Sequence, residues 1–452
     1  MHKLIKWLTG GRLLAATCLL AGLQDATASN ISVNAGTQAQ TITGFGGAVV
    51  WGEGIVNNAT LENDLFATNN LNVSFLRVRN WYAIYWDGDN TGTIPIAQSF
   101  RSYQPKGSVL MTSWSPASTN GYNLKSNHST SGSSNATLLS NNYSGFGSWW
   151  LDCLNYYKAQ GLAPDYVSMQ NEPDYAASWD GCQFSPTSAG PYAYYDAGLN
   201  AVWNKFQAHG FPNQKLMAPE TGHISNSAAG GEVENYMDNL DQAHVSAIGF
   251  HLYGDNVSVN TTCLTKMQTD YPGWLKFQTE YDGDGYYTTN DTGAAAANQI
   301  VTNALTMNNV LTCANANAYL VWQLVDCGAG PGCLSSTGSP HNKYYSLAHF
   351  SKFINPGAIR IAASSDTPGI YSSAYLDTSV SPNRVVIVVI NTTANWDTAN
   401  LQLTGITENT LDSYVSGYWP SGSTYYNFRL EHYTSPAVLT CPKSVVTIVI
   451  NK

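Results

Sequence analysis

Short apolar runs recur along the chain at 44–48, 74–80, 108–114, 164–171, 214–219, 246–253, 274–280 and 317–324, each bounded by turn-forming residues. Between them lie stretches with helical spacing of apolar positions, at 59–69, 148–159, 191–208, 232–240 and 294–312, with another at 344–353. Eight strands interleaved with helices over about 310 residues predict a (β/α)8 TIM barrel. A doubly wound parallel sheet is the competing architecture, because Gly44-Phe45-Gly46-Gly47 approaches its phosphate-binding turn. Position 49 is Val where the third glycine belongs, however, and no ribose-binding acid follows about 20 residues on. After Pro356-Gly357 the pattern turns all-β. Segments 370–376, 384–391, 401–403, 413–418 and 445–451 are short, β-branched and separated by Gly, Ser, Asn and Pro turns. That predicts a side β-sandwich domain of about 95 residues. Residues 31–33 also have strand character, precede the barrel and are free to join this sheet. The expected division is 1–28 signal peptide, 29–43 strand of the side domain, 44–354 barrel and 355–452 side domain. No low-complexity linker separates the two parts, so they are expected to pack as one body.

Composition narrows the partners. The 20 basic and 30 acidic side chains give a net charge of −10, and only 11% of residues are charged. So few cations leave no electrostatic footprint for a phosphate backbone, which argues against nucleic acid. Thirteen Trp and 28 Tyr beside many neutral hydrogen-bonding groups suit an uncharged polyhydroxylated ligand, although most aromatics of any protein are core. Lys3, Lys6 and Arg12, then the apolar stretch 13–23 and Ala26-Thr27-Ala28, read as a secretory signal with its cleavage site. At about 11 residues the apolar run is too short to span a bilayer. A secreted, extracellular, monomeric protein with no membrane partner is expected. Seven cysteines follow the signal (Cys153, Cys182, Cys263, Cys313, Cys327, Cys333 and Cys441). An oxidising compartment favours disulfide bonds, with Cys327 and Cys333, which enclose a Gly/Pro-rich loop, as the nearest local pair. No Cys/His spacing or HExxH motif suggests a metal, and no cofactor is expected.

In a barrel of this kind the chemistry gathers where the strands end. The second predicted strand ends Arg77-Val78-Arg79-Asn80 and the third Thr112-Ser113-Trp114. The fourth ends Gln170-Asn171-Glu172-Pro173, the sixth His251-Leu252-Tyr253 and the seventh Gln278-Thr279-Glu280, while the eighth contains Trp322. Two carboxylates, Glu172 and Glu280, therefore face one mouth. Either alone reads as an ordinary ion-pairing or capping residue. Together, with Asn171 beside one and Arg77 on the second strand, they make the pair that glycoside hydrolysis requires. One carboxyl protonates the leaving oxygen, and the other attacks or stabilises the anomeric carbon.

The ordered set Gly44-Phe45-Gly46-Gly47, Leu76-Arg77-Val78-Arg79, Trp114-Ser115-Pro116, Gln170-Asn171-Glu172-Pro173-Asp174, His251-Leu252-Tyr253-Gly254 and Thr279-Glu280 resembles glycoside hydrolase family 30, from about residue 30 to the C-terminus. Its wording is most similar to the xylanase-like branch. The resemblance implies a retaining glycosidase acting on β-1,4-linked xylan or xylo-oligosaccharides, with endo action expected and a side β-domain built from both chain ends. It also implies Glu172 as general acid/base and Glu280 as nucleophile. Asn171 would bond the sugar 2-hydroxyl, Arg77 would hold Glu280 ionised, and Tyr253 would position it. Trp114 and Trp322 would wall the sugar subsite, and Trp81 would contact substrate as well. A β-1,6-glucanase, a glucosylceramidase-like hydrolase, an exo-acting xylobiohydrolase and a non-catalytic carbohydrate-binding protein are the other readings. One departure stands out: the stretch Gln323-Leu324-Val325-Asp326-Cys327-Gly328 and the stretch Val49-Val50-Trp51 both lack the arginine with which family members read a glucuronate branch. Strict dependence on that branch is therefore not expected, unless Lys343, Arg101 or another cation reaches the site from a loop.

Overall fold

The computed structural model describes residues 27–451 except 85–89, 120, 131, 133–134, 176, 226–230, 284–292, 328–331, 408–410, 419–424 and 434–435. The proposed signal segment thus lies almost wholly outside the described residues.

Eight parallel strands close into a barrel in the order β2 (Gly44–Val49), β3 (Phe75–Arg79), β4 (Ser108–Thr112), β5 (Tyr166–Ser168), β8 (Lys215–Thr221), β9 (Ala247–His251), β10 (Lys276–Glu280) and β11 (Ala318–Val321), with β11 pairing back onto β2. Every expected barrel strand is present, each trimmed or shifted by a few residues. A short pair, β6 (Phe184–Ser185) and β7 (Ala193–Tyr194), lies in the long connection after β5. The period-2 alternation of the strands decides what fills the barrel. Phe75, Leu110, Tyr166, Met217, Ala247, Phe277, Ala318 and Leu320 point inward and form one buried cluster. Phe75, Tyr166 and Phe277 meet ring to ring with centroids 5.0–6.0 Å apart. This aromatic plug seals the lower barrel. Two residues further along β3, β4 and β5 the inward positions become Arg77, Thr112 and Ser168, all fully buried, so the upper barrel is polar by construction.

The outer layer contains helices α1 (Glu53–Val56), α2 (Ala59–Phe66), α3 (Asn90–Tyr103), α4 (Tyr143–Ala159), α5 (Tyr195–Ala208), α6 (Glu232–Met237), α7 (Thr262–Asp270), α8 (Gly293–Cys313) and α9 (Asn342–Ser351). Helices α3 and α7, like the single turn α1, have no counterpart in the sequence reading. Helix α3 carries Pro95 inside it and begins Asn-Thr-Gly, both signals of a break rather than a helix, and α7 is dominated by polar residues and sets only Leu264 and Met267 in the core. Among the described residues no helix is long and apolar enough to cross a membrane.

The side domain is one nine-stranded sheet rather than two separate layers. Its strands are β1 (Thr27–Thr41), β12 (Ile359–Ser365), β13 (Ile370–Asp377), β14 (Arg384–Asn391), β15 (Asp397–Thr404), β16 (Leu411–Tyr418), β17 (Tyr425–Tyr433), β18 (Ala437–Thr440) and β19 (Ser444–Asn451). Strand β1 lies inside this sheet, antiparallel to β12 and parallel to β15, and it begins at Thr27 rather than at residue 29. Alternation along β14 sorts its side chains. Val385, Ile387 and Val389 enter a core made entirely of residues from this domain, so the sheet wraps round its own interior. Val386, Val388 and Ile390 face the other way and join the main core, which also contains Ile300, Ala304 and Met307 of α8.

None of the seven cysteines following the signal segment is in a disulfide. Of the expected pair, Cys327 Sγ donates to the Val50 carbonyl at 3.5 Å, while Cys333 is buried.

Candidate active site

Arg77 is the hub on which the polar upper barrel is assembled. It is fully buried, and an unpaired guanidinium there would be prohibitively costly, so its donors are distributed over three neighbours. Nε donates to Glu220 Oε1 at 3.1 Å, Nη1 to Glu280 Oε2 at 2.5 Å and Nη2 to Asn171 Oδ1 at 2.5 Å. The other Glu280 oxygen accepts from the Tyr253 hydroxyl at 3.0 Å. Glu172 Oε1 is 2.9 Å from His251 Nδ1, and His251 Nε2 lies 3.9 Å from Glu220. Glu172, His251 and Glu280 each place one ligand atom within 4.8 Å of the others. The two carboxylates therefore meet across one small space, as the strand-end reading anticipated.

Local backbone geometry aims these groups. Glu172 has φ 43° and Glu220 φ 62°, values that cost a non-glycine residue about 1–3 kcal/mol and persist where the surroundings enforce them. Register irregularities fall between Pro219 and Thr221 of β8 and between Gln278 and Glu280 of β10. Such bulges re-aim a side chain at a barrel rim.

Charge in the site is closely balanced. Burial alone would lower His251, but Glu280, Glu172 and Glu220 raise it to about 9, so the imidazole is protonated near neutral pH. Burial opposes ionisation of Glu220 as well, yet Arg77 and His251 hold its carboxyl below the usual range. Glu280 behaves otherwise than expected. Burial, reinforced by the Glu172 charge, keeps its carboxyl above the ordinary range against the pull of His251 and Arg77. Arg77 is also shared with Glu220, a residue just past the end of the predicted strand and absent from the sequence-based set. These occupied donors also make the cluster unsuited to a cation, since Arg77 and protonated His251 already engage its oxygens.

The aromatic wall is a packed group. Trp114 and Trp322 are nearly buried, with centroids 6.1 Å apart, and Trp51 closes the triangle at 6.0 and 5.8 Å. Trp51 is only half-buried; the sequence reading passed over it because it precedes no recognisable motif. Trp81 is turned inward, its Nε1 donating to Glu53 Oε1 at 2.8 Å and its ring 4.0 Å from the Arg79 guanidinium carbon. Arg79 in turn pairs with buried Asp180 at 2.5 Å. Trp81 thus braces the wall from behind. Two exposed aromatics, Tyr175 and Trp179, stand on the loop following Glu172 with centroids 6.2 Å apart.

Neither cation considered for branch reading is available. Lys343 is buried, its Nζ on Asp282 Oδ1 at 2.9 Å and on the Trp322 carbonyl at 2.5 Å. Arg101 pairs with Asp165 and the Gly107 carbonyl, which precede β5 and β4 and so mark the opposite end of the barrel.

No protein-family model matches the chain. It is 27% identical over 377 residues to the glucuronoxylanase XynC of Bacillus subtilis (strain 168), covering 80% of this chain and 78% of that protein. It is 25% identical over 350 residues to the endo-1,6-beta-D-glucanase neg1 of Aspergillus fumigatus, covering 68% and 63% respectively. The crystal structure of a GH30 endoxylanase from Clostridium papyrosolvens C71 superposes with a TM-score of 0.71 at 24% identity, covering 94% of this chain and all of that one.

Proposed function

We propose that the chain, as a relative of the xylanase-like branch of glycoside hydrolase family 30, is a retaining glycoside hydrolase that cleaves β-1,4-xylosidic bonds in xylan. The observation that carries this reading is the approach of Glu172 and Glu280 oxygens to within 4.8 Å at the C-terminal mouth of the barrel. Retaining enzymes hold their two carboxyls about 5–5.5 Å apart, whereas inverting enzymes leave about 6.5–9.5 Å for a water. The spacing supports double displacement.

In that reaction Glu280 attacks the anomeric carbon while Glu172 gives its proton to the departing glycosidic oxygen, leaving a glycosyl ester on Glu280. Water, deprotonated by Glu172, then attacks the same carbon and releases Glu280. Tyr253 and Arg77 hold one Glu280 oxygen each, which orients the attacking carboxylate. Asn171 spends its Oδ1 on Arg77, so its amide N–H2 is the group it offers to a sugar hydroxyl. The tryptophan wall supplies apolar faces for the pyranose, and the basic and apolar opening segment supports export.

Reducing-sugar assays on xylan, a β-1,6-glucan and glucosylceramide test the substrate. Cleavage of xylan is expected; activity on the β-1,6-glucan alone would favour the second relative's reading and overturn ours. Proton NMR of the first products should show the β-anomer. Glu280→Gln should abolish turnover of xylan. Glu172→Gln should lose xylan hydrolysis while sparing aryl glycosides whose leaving groups need no proton, and equal loss on both would reject its role as acid.

A further inference from the structure

Asp174 lies two residues beyond Glu172, and its carboxylate accepts the backbone N–H of Gly222 through both oxygens, at 2.9 and 3.1 Å. Gly222 is also the residue against which Glu172 packs. A Cβ on it would lie 3.3 Å from Glu172 Oε1 and 3.6 Å from Asp174 Oδ2. One α-carbon therefore separates the two carboxylates. The same turn is tied to the remaining parts of the site: Glu172 N–H donates to the Glu220 carbonyl and Tyr253 N–H to the Gly222 carbonyl, each at 3.0 Å. We propose that Asp174 is a positioning residue for the acid/base, fixing the 220–222 turn against which Glu172 packs and setting a second carboxyl group beside it. This rests on the reading of Glu172 as the proton donor.

Charges of both signs surround the pair. Protonated His251, from β9, contacts Glu172 directly at 2.9 Å. Arg77, from β3, adds a second positive charge within electrostatic range of Glu172. Glu280 and Asp174 are the opposing negative charges. Facing Asp174 are Glu172 from its own loop, His223 after β8 and Tyr236 from α6. Burial and the Glu172 charge raise Asp174 to about 7, against the Gly222 hydrogen bonds and His223. The two carboxyls are thus coupled, and removing the Asp174 charge takes away one of the two negative charges that oppose the cations around Glu172.

Asp174→Asn keeps an oxygen acceptor for Gly222 and deletes the charge. In the full chain, the alkaline limb of kcat/KM on xylan should move down by about one pH unit, with the acid limb little changed. Asp174→Glu, which restores charge, should recover part of the shift. A purely structural role would lower activity at every pH and leave the limb in place; that result overturns the proposal. Should Asp174→Asn fail to fold, carbon-13 NMR of Asp-labelled Glu172→Gln protein provides a second reading. The Asp174 titration should fall from near 7 toward the ordinary range, and an unmoved titration rejects the coupling. Wild-type protein that hydrolyses no glycoside would sink the enzymatic reading and this inference together. Hydrolysis with an alkaline limb that Asp174→Asn leaves unmoved would sink this inference alone.

Discussion

Glu220 touches no reacting atom, yet it shares the Arg77 guanidinium with Glu280. Glu220→Gln keeps a hydrogen-bonding side chain against Arg77 and removes the competing negative charge, so the Glu280 carboxyl should ionise at lower pH. The acid limb of kcat/KM should move down accordingly, the direction opposite to any loss of Arg77. Glu220→Ala is a different matter. It leaves a buried guanidinium short of its counter-ion, a change that typically costs about 3–5 kcal/mol, which urea unfolding would register. At the edge of the site, Trp179→Ala should raise KM for long xylan chains several-fold and leave kcat on short aryl glycosides unchanged, because an exposed ring beyond the acid/base can only meet sugars on that side. An equal effect on both substrates would remove Trp179 from the cleft.

Among the elements, the contact between α9 and β19 carries a pH dependence of its own. The Thr447 hydroxyl donates its single proton to the His349 carbonyl at 2.8 Å, so His349 Nδ1 donates back to the same oxygen, also at 2.8 Å. The imidazole is neutral at pH 7 because it is buried. Burial lowers it to about 3 from an unfolded value near 6.5. With the folded value depressed, the unfolded chain binds the extra proton between those two values, and stability falls as pH drops through that window. Urea unfolding at pH 7.5 and pH 4.5 should show this group contributing a loss of about 2–3 kcal/mol. A His349→Leu variant should lack that increment, whatever its stability at pH 7.5. The elements also explain what could be read in advance. Barrel strands were legible because both their faces are buried, which writes apolar runs into the sequence. Glu172 and Glu280 were legible because strand ends in a barrel converge. Glu220 was not, because the predicted fifth strand stopped at 219 and only the bulge at Pro219–Thr221 swings the next side chain inward. Asp180, which pairs with Arg79 from a loop about a hundred residues away, left no local signal at all. Nor does alternation alone tell a two-layer sandwich from one sheet closed around its own core.

For the molecule as a whole, the placement of its few cations decides which polymers it can discriminate. Arg77, Arg79 and Lys343 stand near the mouth, and each is buried against a carboxylate. A glucuronate branch needs an accessible charge-assisted donor, most effectively a guanidinium. Cleavage of glucuronoxylan, arabinoxylan and linear xylo-oligosaccharides should therefore proceed at comparable rates, with no fixed distance between the cut and a branch. Mass spectrometry of the products would reveal the alternative as a ladder of singly glucuronylated oligomers, with linear xylohexaose left intact.

The seam that joins the two ends of the chain has a consequence during synthesis. Ser29 in β1 hydrogen-bonds through its backbone N–H to Asp397, 368 positions later, and β1 has no other sheet to join. A ribosome delivers residues at about 5–20 per second, so this first strand waits tens of seconds for its partners while the barrel emerges. An unpaired strand edge held open for so long is an invitation to another nascent chain. Release of the chain ending at residue 354 should accordingly yield aggregates rather than a free barrel, whereas supplying 355–452 as a separate polypeptide during expression should return part of it to the soluble fraction.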